Sequence, residues 1–217
     1  MSRAKVRHVL AALSGIEIGN PQLGNYLAVN ENGNLRLYGT ATQYEDLRID
    51  GMSTRVGSTA PTDETGFRGD SKHSVRNFVH TQADEVQFTV QLPHAWREGS
   101  TLHPHVHFAP WVQGSASTNE AQFVLEYYWA NLDAQFPATT ASVAMYKSWT
   151  GDKQWYHFIA DDLAPITASG KTFSSLLKCR LYRDNTPASN LAGKVTFLYF
   201  DIHYEADALG SNQEYTK

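Results

Sequence analysis

Residues 85–93 read EVQFTVQLP, and their alternation decides the fold class. The apolar positions are Val86, Phe88, Val90 and Leu92, and the polar positions between them are Gln87, Thr89 and Gln91. Because successive side chains of a β-strand point to opposite faces, this pattern predicts a strand with one buried face and one polar face. The segment therefore predicts a sheet that packs one side against a core.

The same kind of pattern recurs toward the C-terminus. Strand-like segments read TLHPHVHF, AQFVLEYYWAN, WYHFIA, LLKCRLYRD and KVTFLYFDIHYEAD. Neither sustained helical periodicity nor βαβ spacing is found, which argues against parallel α/β folds. Roughly eight strands with long connections predict an all-β fold, an antiparallel β-sandwich of jelly-roll type with an N-terminal arm and hairpin.

Length and composition narrow the classes of partner. The 217 residues suit one all-β domain, and the aromatic content of 12% favours β structure. The formal net charge is -4 without a basic block, so the electrostatic footprint of a nucleic-acid binder is missing. No apolar run approaches the roughly 20 residues that cross a bilayer. We therefore expect partners that are neither nucleic acid nor membrane. The single cysteine, Cys179, excludes an intrachain disulfide and is expected to be a small buried hydrophobe.

Three regions follow from the distribution of apolar residues. Residues 1–49 are expected to form an N-terminal arm and β-hairpin attachment region, residues 50–74 a polar linker, and residues 75–217 the jelly-roll body. The linker is rich in Gly, Ser and Thr, as loops are. A loop this long inside a compact domain is uncommon unless it contacts a partner or separates two modules.

The N-terminal region carries two local signals. Val6, Leu10 and Leu13 recur at helix-like spacing, which predicts a short amphipathic arm that docks on the body or on a neighbouring subunit. We therefore take these three residues as interface candidates. Asn32 and Gly33 lie between two alternating runs and predict a β-hairpin, because both residues tolerate positive φ. The following segment YEDLRI is expected to add a third strand.

The stretch 101–108, TLHPHVHF, raises the question of a metal site. Alternation places His103, His105 and His107 on one face, opposite the apolar side chains. Histidines two residues apart can both reach one ion. The pattern G-x5-H-x-H over Gly99, His105 and His107 matches the opening of the cupin metal motif. That motif continues with a glutamate, whereas this chain continues FAPWVQG.

Later segments offer further candidate ligands. His203 shares a face with Asp201 and Glu205 in FDIHYEAD, and His157 lies in WYHFI. Sequence alone does not show that these side chains converge, and alternation by itself also produces polar faces of this kind.

We favour the interpretation that the histidine face is a contact surface between subunits, since interfaces use planar polar side chains. His103, His105 and His107 are then interface residues, and we expect neither a catalytic residue nor a cofactor. A structural metal ion bound by His103, His105, His107 and His203 stays open as the alternative. The sequence contains no G-x-S-x-G elbow and no phosphate-binding loop.

The run EYYW at residues 126–129 is a second candidate site, an aromatic platform for a sugar. Alternation places Tyr127 and Trp129 on one face and Glu126 and Tyr128 on the other. Core packing explains Tyr127 and Trp129 more readily than sugar binding does. We therefore expect these two side chains to be part of the core.

Three stretches resemble a family of tailed-bacteriophage structural proteins. They read VQLPHAWREGSTLHPHVHFAPW, VLEYYWAN and VTFLYFDIHYEADALGSNQEYTK, and the resemblance runs from about residue 84 to the C-terminus. LPHAWREG, HPHVH and DIHYEAD are its distinctive parts. The resemblance implies a non-enzymatic virion component, and it supplies no catalytic residue.

On this basis we expect a homo-oligomer, a trimer, that contacts other virion proteins such as capsid or tail proteins. The C-terminal DALGSNQEYTK is expected to strap onto a neighbour. The expected location is the virion, after synthesis in the host cytoplasm. Capsid decoration, a neck or collar position and tail association stay open. Two other functions are kept as alternatives: a carbohydrate- or receptor-binding module of a phage, and a cupin-like metal-binding protein that uses the HPHVH strand.

Overall fold

The structure is a computed structural model that describes residues 17–30, 32–114, 117–186 and 191–215. Within these ranges the chain forms fourteen β-strands and four one-turn 3-10 helices, and no α-helix. The strands are β1 (Glu17–Asn20), β2 (Asn25–Val29), β3 (Leu35–Tyr38), β4 (Gln43–Asp50), β5 (Arg55–Val56), β6 (Thr62–Thr65), β7 (Ser74–Phe78), β8 (Glu85–Gln91), β9 (Leu102–Pro110), β10 (Thr118–Ala130), β11 (Ala141–Thr150), β12 (Phe158–Asp162), β13 (Leu176–Asp184) and β14 (Val195–Ala206). The 3-10 helices are Pro21–Leu23, Gly39–Ala41, Gly51–Ser53 and Phe67–Gly69. No helix in the described part of the chain is long and apolar enough to cross a membrane.

Two sheets form the body. We call the sheet with the order β5-β8-β13-β10-β11 sheet I, and the sheet with the order β12-β9-β14-β7-β6 sheet II. They are continuous through a short pairing of β11 with β12. β4 extends sheet II by pairing with the part of β14 that follows its contact with β7. The antiparallel pairing and the strand content confirm the predicted all-β sandwich of jelly-roll type.

The core lies between the two sheets and is rich in aromatic side chains. Phe88 of β8 contacts Phe200 of β14 with ring centroids 4.9 Å apart, and Phe123 of β10 lies 5.5 Å from Phe108 of β9. The apolar positions of residues 85–93 are all buried, which confirms the strand predicted there. Since each fully buried aliphatic or aromatic side chain contributes about 1.5–3 kcal/mol, these contacts hold the two sheets together.

A separate three-stranded sheet, β1-β2-β3, precedes the body, and we call it the N-terminal sheet. β2 and β3 form the predicted hairpin, and Gly33 in its turn has a φ of 79°. The side chain of Asn30 closes this turn by accepting hydrogen bonds from the backbone N–H groups of Asn32 and Asn34, at 3.1 and 2.8 Å. Outside the described residues lie the arm candidates Val6, Leu10 and Leu13.

Segments that the sequence placed in the attachment region and the linker contribute strands to the body. β4, which contains YEDLRI, pairs with β14 instead of the hairpin, and Leu47 and Ile49 pack against the core. The third strand of the N-terminal sheet is β1. Inside the predicted linker 50–74, β5 pairs with β8 and β6 pairs with β7. The boundaries predicted at residues 49 and 74 therefore differ from the strand pairing, because β5 and β6 are too short and too polar to show alternation.

Candidate functional site

The predicted histidine strand is β9, and it lies in sheet II between β12 and β14. In the register, His105 lies opposite Asp201 of β14, and His103 lies opposite His203. On the other edge of β14, His203 lies opposite Asp46 of β4. Because these positions alternate in step, their side chains share the face of sheet II that points away from the core. We call this group the histidine cluster: His103, His105, His107, Asp201 and His203.

Asp201 lies at the centre of the histidine cluster. Its Oδ1 is 3.4 Å from Nδ1 of His105, and its Oδ2 is 3.3 Å from Nε2 of His107 and 3.7 Å from Nε2 of His203. The exposed fraction is 1% for Asp201, 8% for His105 and 5% for His107. Two of the three histidines predicted as interface contacts are therefore buried within one chain. The side chain of His103, in contrast, is 31% exposed.

The contacts at this centre are not well-formed hydrogen bonds. N–H···O bonds in proteins have donor–acceptor distances of about 2.7–3.2 Å, shorter than the separations found here. Three buried atoms of the histidine cluster have no hydrogen-bond partner within the described residues: Nδ1 of His105, Nε2 of His107 and Oδ1 of Asp201. Buried polar atoms in native proteins are nearly always satisfied. Three unsatisfied atoms in one place therefore mark the histidine cluster as a candidate binding site.

Burial and neighbouring charges have opposite effects on the pKa values of Asp201 and His105. Burial alone raises the pKa of Asp201, but the imidazoles of His105 and His107 hold that pKa well below its ordinary value. For His105, burial lowers the pKa, and the contact with Asp201 together with the charges of Asp161 and Asp162 raises it above its ordinary value. Asp201 is thus a deeply buried carboxylate surrounded by imidazoles.

Neighbouring side chains hold His107 in its orientation. Its Nδ1 shares a hydrogen bond of 2.8 Å with Nε2 of His157, and its ring stacks on Tyr199 at a centroid distance of 3.9 Å. His157, which the sequence also offered as a ligand, therefore contacts the histidine cluster through His107. Burial, and after it the charge of His107, lowers the pKa of His157.

The histidine cluster reaches solvent at His203. The side chain of His203 is 38% exposed, and its Nε2 lies 2.9 Å from Oδ1 of Asp46. Its ring meets the ring of His105 edge-on, with centroids 4.2 Å apart. Sequence reasoning did not find Asp46, because it placed that segment beside the hairpin rather than beside β14.

Other acidic residues surround the histidine cluster. Asp161 and Asp162 lie on β12, with carboxylate oxygens 3.7 and 3.9 Å from Nε2 of His105. Glu205 shares the outer face of β14, as predicted, but its carboxylate accepts a hydrogen bond from Nη1 of Arg97 at 2.9 Å. Glu205 therefore lies outside the cluster, whereas the β12 carboxylates border it.

The run 126–129 follows the predicted alternation. Trp129 is 5% exposed, and its Nε1 donates a hydrogen bond to Oγ of Ser175 at 2.9 Å. Tyr127 packs against the core from a half-buried position. The prediction that these two residues belong to the core is confirmed. Tyr128, on the opposite face, is exposed.

Tyr128 belongs to an exposed apolar surface on the outer side of sheet I. An open cavity of about 390 Å³ lies there. It is lined by Thr89, Tyr128, Phe136, Pro137, Leu176 and Lys178. The exposed fractions of Tyr128, Phe136 and Leu176 are 36%, 43% and 38%. A surface that combines exposed aromatic rings with a few polar groups suits a ligand that stacks.

The N-terminal sheet exposes much of its apolar surface. Ile18 of β1 is 64% exposed, and Leu23, in the 3-10 helix that connects β1 to β2, is 72% exposed. No residue of β1, β2 or β3 is fully buried. Among the described residues from 17 to 38, only Glu17 and Arg36 are charged. This region therefore exposes large apolar side chains and carries few charges.

The C-terminal segment fastens the N-terminal sheet to the body. The N–H of Leu37 donates to the carbonyl of Asp207 at 2.7 Å, and Nη1 of Arg36 lies 3.4 Å from Oδ1 of Asp207. Further along, the N–H of Asn212 donates to Oδ1 of Asn34 at 2.8 Å. The described part of the tail thus holds the hairpin of its own chain. The strap onto a neighbour stays a prediction.

Cys179 lies on β13 and faces the core. It is 2% exposed, which confirms the prediction of a buried small hydrophobe. Burial raises the pKa of its thiol to about 12.

Similarity to known proteins is confined to remote structural matches. No protein-family model and no curated protein matches the chain. An isomalto-dextranase of Arthrobacter globiformis matches with a TM-score of 0.43 and 14% identity, over 72% of this chain and 23% of that one. The CBM36-1 domain of a xylanase from the hindgut metagenome of Trinervitermes trinervoides matches with a TM-score of 0.41 and 12% identity, over 73% and 96%. The structure of infectious bursal disease virus, Gx strain, matches with a TM-score of 0.38 and 12% identity, over 92% and 40%.

Proposed function

We propose that the chain is a non-enzymatic structural component of a tailed-phage virion that acts through protein–protein contacts in a homo-oligomer, a trimer. One observation carries the proposal: the N-terminal sheet and its β1–β2 connection leave the apolar side chains of Ile18 and Leu23 open to solvent. The resemblance of residues 84–217 to phage structural proteins supports the virion setting. Capsid or tail proteins are the further partners that this setting implies.

Physical reasoning favours a partner for the N-terminal sheet. Small isolated sheets are stable only when a hydrophobic face is covered. Here the sheet is fastened along β3, through Arg36 and Leu37, while Ile18 and Leu23 face solvent. Exposed apolar patches mark interaction sites, and two large apolar side chains of this region are open to solvent. Because the sheet carries few charged side chains, few charges would be removed from water when a partner covers this face.

The occupant that we propose for this face is a second copy of the chain. Closed rings of identical subunits bury the same surface of every copy, so no apolar face stays open. In a trimer, the N-terminal sheet of each subunit then packs against the next subunit.

The test is the mass of the purified chain by light scattering, with two variants beside it. Ile18→Asp with Leu23→Asp places two charges on the N-terminal sheet, and Leu163→Asp places one on a different apolar residue that is 65% exposed. We expect trimers for the wild type and for Leu163→Asp, and monomers for the double variant. A monomeric wild type, or a double variant that stays trimeric, contradicts the proposal.

A second candidate function is carbohydrate binding, and the exposed surface around Tyr128 and Phe136 favours it. Its test is a glycan array probed with the wild type, with Phe136→Ala, and with Tyr156→Ala as a control. Tyr156 is 54% exposed and lies outside the lining of this cavity. Binding of one glycan class that is lost in Phe136→Ala and kept in Tyr156→Ala would support this candidate, and absence of any glycan signal would remove it.

A further inference from the structure

We propose that the histidine cluster is a transition-metal site, which binds one divalent ion of the zinc class per chain through His105, Asp201 and His203. Ligand atoms of these three residues all lie within 4.8 Å of one another. Asp201 and His203 come from β14 and His105 comes from β9, so the ion would join two neighbouring strands of sheet II. This site is independent of the N-terminal sheet on which the proposed function rests.

The separation of the ligand atoms fits a shared ion. Zinc–nitrogen and zinc–oxygen bonds are about 2.0–2.2 Å long, so tetrahedral ligand atoms lie about 3.3–3.6 Å apart. Nδ1 of His105 is 3.4 Å from Oδ1 of Asp201, and Nε2 of His203 is 3.7 Å from Oδ2 of Asp201. Both distances are long for hydrogen bonds. The first lies within the separation expected for two ligands of one ion, and the second lies just above it.

Unsatisfied buried atoms give a second, independent reason. Nδ1 of His105 and Oδ1 of Asp201 are buried and lack a hydrogen-bond partner within the described residues. Both belong to residues that are more than nine-tenths buried, and they face each other. A bound cation would satisfy both atoms at once, because a nitrogen lone pair and a carboxylate oxygen are both metal ligands.

The surroundings resemble the outer shell of known metal sites. Ligating histidines commonly direct their second nitrogen at a carboxylate, which fixes the ring. Nε2 of His105 faces Asp161 and Asp162 at 3.7 and 3.9 Å. On the other side, Nε2 of His107 lies 3.3 Å from Oδ2 of Asp201, and His157 holds the His107 ring. His107 is therefore a positioning residue for Asp201.

The donor set decides the class of ion. Two imidazoles and a carboxylate suit zinc, cobalt, nickel or copper, whereas calcium and magnesium select all-oxygen sites. Asp46, whose Oδ1 lies at the hydrogen-bond distance of 2.9 Å from Nε2 of His203, borders the site on its solvent-facing side. All of these residues belong to one chain, so the expected ratio is one ion per chain rather than one ion per trimer.

The experiment uses the full chain without a histidine tag, stripped with EDTA and titrated with cobalt(II), and then with zinc in competition. Visible absorption of cobalt reports the coordination, and calorimetry gives stoichiometry and affinity. The variant is His203→Gln, since a side chain that is 38% exposed can be replaced without disturbing the core. The control is His73→Gln, an exposed histidine outside the histidine cluster.

We expect one ion per chain for the wild type and for His73→Gln, and a loss of affinity of more than about tenfold for His203→Gln. Circular dichroism confirms that each variant is folded. Absence of saturable binding, one ion per three chains, or equal affinity in His203→Gln would overturn the proposal. In that case His105 and Asp201 form a buried ion pair. The variant Ile18→Asp with Leu23→Asp should keep one ion per chain, so failure of the trimer and failure of the metal site are distinguishable.

Discussion

Arg76 binds both carboxylate oxygens of Asp63: its Nε donates to Oδ1 and its Nη2 donates to Oδ2, each at 2.7 Å. The remaining nitrogen, Nη1, donates to the carbonyl and the hydroxyl of Thr54, at 2.8 and 2.7 Å. Arg76 itself is 5% exposed. One buried guanidinium therefore ties β7 to β6 and to the residue that precedes β5.

Replacing Arg76 with lysine should lower the free energy of unfolding by about 2 kcal/mol. An ammonium group keeps the charge but cannot reproduce the planar fork, so at least one buried acceptor loses its donor. Urea denaturation of the wild type and the variant measures the change. The matched control is Arg55→Lys on β5, an exposed arginine, where we expect a change within about 0.5 kcal/mol. Equal loss in both variants would contradict this account.

The same pair predicts a pH dependence. The hydrogen bond from Arg76 lowers the pKa of Asp63 below its ordinary value of 3.8. A carboxyl whose pKa is lower in the folded state stabilises the fold above its unfolded pKa, and that stabilisation is lost as the pH falls through the folded pKa. The stability difference between wild type and Asp63→Asn should therefore shrink as the pH falls from 7 to below 4. Chemical denaturation at each pH measures it, and a difference that stays constant would argue against the assignment.

Cys179 should be inert in the folded protein. Its thiol is buried and has a pKa of about 12, so almost no thiolate forms near neutral pH. Ellman's reagent at pH 8 should label no thiol in the native chain and one thiol after unfolding in guanidinium chloride. Rapid and complete labelling of the native chain would show that β13 opens locally.

Phe200 should be a major source of stability. Its ring is fully buried and contacts Phe88 across the two sheets, with centroids 4.9 Å apart. Phe200→Ala should lower the free energy of unfolding by about 3–5 kcal/mol, through lost burial and the cavity that remains. Thermal and urea unfolding measure the change. Phe136→Ala, an exposed position, is the control and should change stability by less than about 0.5 kcal/mol.

Alternation in the sequence predicted the main strands of the body, but it predicted neither every strand nor every strand pairing. β8, β9 and β14 contain segments where apolar and polar residues alternate over about seven positions, and β10 and β13 contain shorter alternating segments. β11 was not predicted, because among its residues only Met145 and Trp149 are buried. β4 was predicted as a strand but with the wrong partner, since local sequence does not encode which distant strand a segment meets.

Alternation predicted part of the histidine cluster but not the register that brings its two strands together. Alternation placed His103, His105 and His107 on one face, and it placed Asp201 with His203 on another strand. That Asp201 lies directly opposite His105 depends on the register between β9 and β14, which lie far apart along the chain. Burial of the cluster was not predicted, because a polar face is usually solvated.

β14 is paired along most of its length on both edges, with β9 on one side and with β7 and then β4 on the other. Its three partners all precede it in the chain, so during synthesis they leave the ribosome before the strand that joins them exists. Until residues 195–206 emerge, sheet II has no centre, and its future members present unpaired edges that invite aggregation. Pairing between strands that lie far apart along the chain is slow, because the chain loses conformational entropy before the stabilising contacts form. Sheet II can therefore complete its pairing only after β14 has been translated.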